Sequence, residues 1–132
     1  MRDLNSYEVM RFLTAIKSAE DADFGPPPAS LFAAIAAYGE EAARNGTLLD
    51  QGGLLPTSQG VQIRLQGGKV TVTDGPFTEA TEVIGGYAMF QLRSLEEAVE
   101  LGRRFMEIHA EHWPEFVGTC EVRQIMDAPP AG

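Results

Sequence analysis

The chain has 132 residues with 10 Lys and Arg against 19 Asp and Glu, a formal charge of −9, and its 44% hydrophobic and 22% charged residues suit one ordinary globular domain over 1–132. A pI near 4.6 argues against a nucleic-acid or anionic-membrane partner, because phosphates repel such a field, and no apolar run approaches the roughly 20 residues of a membrane span. The N-terminus lacks the apolar core of a signal peptide, and the single cysteine, Cys120, cannot make an internal disulfide, so a cytoplasmic location is expected.

Residues 7–16 mix β-branched and aromatic types with apolar residues on both parities, which predicts a strand. An acidic, turn-rich segment follows and closes with Pro26, Pro27 and Pro28, a stiff lead-in that cannot lie inside a helix. Ser30 is the expected N-cap of a helix whose apolar stripe is Leu31, Ala34, Ile35, Tyr38 and Ala42, ended by Asn45-Gly46. A short strand is expected over 47–55.

Val61, Ile63 and Leu65 alternate with polar residues, and after Gly67-Gly68 the alternation resumes through Val70 and Val72. A two-residue Gly-Gly loop predicts a tight hairpin turn with positive φ at both positions. It pairs Leu65 with Val70 and Ile63 with Val72 on one face, and Arg64 with Thr71 on the other, so turn length and hydrophobic pattern demand one register. Residues 83–92 predict a further strand that is apolar on both faces, with Gly85-Gly86 marking a bulge or a close backbone approach. A sheet covered on both sides needs more than two helices can supply, which points to a homodimer with sheets packed face to face.

Ser94 and Glu97 form a capping box at the start of a second helix. Its expected stripe is Leu95, Ala98, Val99, Gly102, Phe105, Met106 and His109, and Pro114 limits its extent. A last strand runs over about 119–126, and residues 127–132 read as a frayed tail. The order β-α-β, inserted hairpin, β-α-β describes an α+β, ferredoxin-like subunit, an antiparallel sheet with two helices on one face.

The run from Val72 to Tyr87, with Asp74-Gly75-Pro76-Phe77-Thr78-Glu79 at its core, resembles the YCII-related proteins, in the subgroup named for its Asp-Gly-Pro-Phe motif. Gly46-Thr47-Leu48-Leu49, Ser94-Leu95-Glu96-Glu97-Ala98 and Glu121-Val122-Arg123 look like the same subgroup. The resemblance implies a ferredoxin-like subunit that pairs into a dimeric α/β barrel. It also implies a His/Asp pair in a cleft as a proposed catalytic element of the wider family, and an association with extracytoplasmic-function sigma factors in some relatives. Thr81 stands where the subgroup usually carries Lys, so no role that needs a cation there is carried over.

Asp74 falls opposite Val61 on the apolar parity of the hairpin, where a desolvated carboxylate would suit acid–base work. A local role competes with that one: Asp74 can accept an N–H from Phe77 or Thr78 and fix the turn. His112 and His109 are the only histidines. His109 lies on the buried stripe, which leaves Asp74 and His112 as the candidate acid–base pair. Arg64, Phe77 and Tyr87 are the candidate contacts to a small-molecule ligand. The spacing of His109, His112 and Glu115 is a weak metal signal without further ligands, so neither a metal nor a cofactor is expected. A non-catalytic dimeric binding or regulatory module is the competing expectation.

Overall fold

The computed structural model describes residues 9–127. The expected start of the first strand at residues 7–8 and the tail from residue 128 onward lie outside them. The order is β1 (Met10–Ser18), α1 (Ala29–Arg44), β2 (Leu48–Gly53), a short 3-10 turn (Thr57–Gln59), β3 (Val61–Gln66), β4 (Lys69–Asp74), β5 (Val83–Leu92), α2 (Leu95–His112) and β6 (Thr119–Gln124). Four strands form one sheet in the order β2-β5-β1-β6, and β3 and β4 form a separate two-stranded sheet. Every pairing is antiparallel. This α+β arrangement, with both helices on one face, is compatible with the ferredoxin-like plan.

Each boundary has a local cause. β1 runs two residues past its expected end because Lys17 and Ser18 pair with Ile84 and Val83 beyond a bulge. Gly85 is the residue that this bulge leaves unmatched, between the pairs Ile16–Gly86 and Lys17–Ile84. α1 starts one residue before the expected Ser30 cap: Pro28 holds the extended boundary position, and no side chain caps the helix. The Pro28 carbonyl instead accepts the Leu31 N–H. At the other end Gly46 takes a φ of 81°. The Thr47 and Gly46 N–H groups then return to the Ala42 and Ala43 carbonyls, the paired bonds of a Schellman ending. Ser94 accepts the Glu97 N–H at 3.1 Å, while the Glu97 carboxylate accepts from Arg93, one residue before the cap.

The core lies between the helices and one face of the sheet. Phe12 is 1% exposed and packs with Phe90, Leu92, Ala42 and Ala98. The buried stripe of α2 is Ala98, Gly102, Ile108 and His109, so Leu95 and Val99 fall outside it and are exposed. Gly102 lets the helix rest close on β6: a Cβ there would stand 3.2 Å from Cys120 Sγ.

The hairpin has the register that the sequence demands, from Val61–Asp74 to Gln66–Lys69. Gly67 and Gly68 have φ of 58° and 76°, so the turn needs residues without a Cβ at both positions. All of its strand residues are exposed. Its base is fastened to the body by hydrogen bonds. The Gly75 N–H donates to the Gly60 carbonyl, and the Phe77 N–H donates to Thr57 Oγ1. Thr57 in turn gives its own N–H and hydroxyl to the Glu20 carboxylate. Gly75 sits so close that a Cβ would lie 1.6 Å from the Thr57 carbonyl oxygen.

Candidate functional site

The space between the two helices and the sheet is not filled. A cavity of about 590 Å³ opens there, a size in the range of about 300–1,000 Å³ typical of small-molecule sites. Its lining is rich in glycine. Gly39 on α1, Gly102 on α2, Gly52 and Gly53 on β2, and Gly85 and Gly86 on β5 all border it; a Cβ would meet packed neighbours at Gly39, Gly52, Gly86 and Gly102, and open space at Gly53 and Gly85. Gly53 pairs with Gly86, and a Cβ at Gly53 would meet nothing within 4 Å.

One wall is aromatic. Tyr38 stands 6.4 Å from Phe105, Phe105 4.9 Å from His109, and His109 5.1 Å from Phe116, measured between ring centroids. Phe116 stacks on Trp113 at 5.0 Å. Phe24, from the loop before α1, meets both rings edge-on. The Trp113 indole N–H donates to the Phe24 carbonyl at 3.0 Å, tying that loop to the end of α2. Such tilted and edge-on pairs add roughly 0.5–1.5 kcal/mol each beyond their area.

The residues bordering the cavity include no Asp, Glu, Lys or Arg. Most of their polar groups already serve the protein. Thr14 Oγ1 donates to the Ala88 carbonyl, and the Tyr38 hydroxyl donates to the Leu101 carbonyl at 2.8 Å. Burial pushes that hydroxyl up to about 12, so it stays a neutral donor. His109 is 8% exposed, and its Nδ1 lies 2.9 Å from the Phe105 carbonyl. A carbonyl only accepts, so Nδ1 carries the proton and Nε2 of the neutral ring is left to accept. The expectation of a satisfied, buried His109 is met, and the same ring borders the cavity.

The sequence-derived candidates lie on the β3–β4 hairpin and its base, on β5 and at the end of α2. Asp74 ends β4 opposite Val61 and is exposed. Of the two N–H groups, Phe77 or Thr78, expected to reach it, that of Phe77 goes to Thr57 Oγ1 instead, because the 3-10 turn brings that hydroxyl, held by Glu20, against the loop. His112 is the last residue of α2 and is half-buried. Neither Asp74 nor His112 borders the cavity. Arg64 projects from the hairpin's polar face and lies 3.7 Å from Glu79. Phe77 is half-buried at the hairpin base, close over Gly60. Tyr87 borders the cavity, but the register pairs it with Gly52 and Ala15 on the face away from the helices. There its hydroxyl donates to Asp50 at 3.0 Å, a bond that raises it above the usual tyrosine range.

Sequence reasoning did not single out Phe24, Trp113 and Phe116, which sit in segments without periodicity. The available signal was the concentration of aromatics beside proline, in Phe24-Gly25-Pro26 and Trp113-Pro114-Glu115-Phe116.

A family model described as the YCII-related domain matches residues 10–128, and the chain belongs to that family. No curated protein matches it. No helix among the described residues is long and apolar enough to cross a membrane.

Proposed function

We propose that this YCII-related protein is a binding module for an uncharged small molecule with an apolar or aromatic body, seated between α1, α2 and the sheet. The supporting observation is a cavity of about 590 Å³ that six glycines border and no charged side chain does. A charged ligand would lose its hydration there and find no counter-charge in the lining. A ring finds the aromatic wall, and one hydroxyl finds His109 Nε2. An acid–base enzyme built on Asp74 and His112 would need both groups beside the bound molecule. The cavity lining holds neither, so the binding reading is preferred. Within the family, the run Asp74-Gly75-Pro76-Phe77 supports placing the chain in the Asp-Gly-Pro-Phe subgroup.

Trp113 is the only tryptophan and borders the cavity, so its fluorescence reports on occupancy. Titration with p-cresol and cyclohexanol is expected to shift Trp113 emission and raise Tm, whereas benzoate does neither. Saturation at a hundredfold excess over Kd adds about 2.7 kcal/mol to stability. Gly53→Val fills the cavity from β2 and is expected to abolish the response while the fold persists. The proposal is overturned if no uncharged probe shifts Trp113, if benzoate binds equally well, or if Gly53→Val responds as wild type does.

A further inference from the structure

The two sides of the cavity differ in chemistry. The aromatic wall belongs mainly to α2 and the segment after it, and α2 packs against β5 and β6, whereas α1 packs against β2. On the β2 side stands Gln51, paired in register with Ala88, and both residues border the cavity. The hydroxyls of Thr14 and Tyr38 in the same lining are bonded within the protein. Gln51 is not used in this way: its backbone N–H turns to Asp50 Oδ1, and its carboxamide bonds to no group among the described residues.

Gly39 gives that carboxamide its room. It is buried within α1, at a helix-interior position where alanine is the better helix former. A Cβ there would stand 2.6 Å from Gln51 Nε2 and 3.2 Å from its Oε1, so any side chain at this position displaces the amide. The helix thus gives up propensity where a polar group, and not an apolar filler, occupies the space. Gln51 is exposed, so water satisfies its carboxamide until a bound molecule displaces it. A ligand with no complementary group then leaves a donor and an acceptor unpaired.

We propose that Gln51 is the specificity-determining residue of this site, and that it selects aromatic carboxamides and lactams. Their N–H and C=O lie on one side and meet the Gln51 carboxamide in two parallel hydrogen bonds. This rests on the reading of the cavity as a small-molecule site and narrows it. A carboxylate can only accept, and sets its charge against the Gln51 carbonyl oxygen. A ketone or an ether also only accepts, and an alcohol meets one of the two groups at a time. The ring that carries the amide falls toward Phe105 and His109 on the α2 side.

Calorimetric titration with p-toluamide, p-methylacetophenone and p-cresol tests the selection. The ketone has the shape of the amide with a methyl group in place of the NH2. Wild type is expected to bind p-toluamide at least about tenfold more tightly than either of the others. Gln51→Leu is expected to lose that preference while holding p-cresol within a few-fold. Gly39→Ala displaces only the flexible end of a side chain, and is expected to keep or raise Tm while the amide preference falls. Equal binding of amide and ketone by wild type overturns the proposal, and that comparison needs no variant to fold. A preference that survives intact in Gln51→Leu or in Gly39→Ala overturns it as well. p-Cresol separates the two readings: if it binds and the amide gains nothing over it, the role of Gln51 alone fails. If none of the three binds, the cavity reading fails with it.

Discussion

The sheet body and the β3–β4 arm place similar apolar patterns in opposite surroundings. Along β1 and β5, Phe12, Phe90 and Leu92 alternate with more exposed residues, and both helices bury them. Along the arm Ile63, Leu65 and Val72 alternate as regularly, on a better-defined turn, and lie open to solvent. Alternation and turn chemistry therefore decide how strands pair, while burial depends on elements far away in the chain. The body also shows the converse. There the layers are in place, yet a glycine-bordered gap remains between them that no local pattern announces.

The contrast is broken most sharply at the core. Phe12→Ala is expected to cost about 3–5 kcal/mol in urea unfolding, since the ring is enclosed. The same measurement on Gly75→Ala is expected to show a loss on the order of 1–3 kcal/mol, because the new Cβ must displace the Thr57 carbonyl. Its signature is regional: amide protection falls over residues 57–77 and is retained in β1. A third test uses pH. The bonds from Thr57 hold the Glu20 carboxyl below its ordinary value. The stability they contribute is complete above the unfolded pKa of about 4.3 and is lost as pH falls through the lower folded value. The advantage of wild type over Glu20→Gln should accordingly be present at neutral pH and vanish in acid. Smallest of all, Arg64→Ala removes an exposed pairing with Glu79 and is expected to move stability by no more than about 0.5 kcal/mol.

What could be read in advance follows from the same distinction. The hairpin register, the limits of β5 and the Asn45-Gly46 ending depend on neighbours within a few residues, and each is found as expected. Ser30 misled because Pro28 already supplies the extended boundary, so α1 begins without a side-chain cap. The turn at Asp74 misled for a longer-range reason. Its N–H acceptor is Thr57, twenty residues from Phe77, positioned by Glu20 from beyond the first helix. The candidate site was the least legible part. It joins the aromatics Trp113 and Phe116 beyond the end of α2 to glycines on four elements, and only the packed layers bring them together. His109 was legible as buried but not as lining a space, since periodicity identifies the inward face and not what lies opposite.

A pocket with two open glycine positions on its border has an evolutionary consequence. Where large residues define a cavity, a new shape requires coordinated repacking, because each neighbour leans on the next. Here the boundary positions Gly53 and Gly85 have open space before them, so a single change to Ala or Val trims the volume from one side and leaves the surrounding contacts in place. Related chains can therefore diverge in the size and outline of the molecule they accept by one-step substitutions at these glycines, while the aromatic wall and the strand register stay as they are.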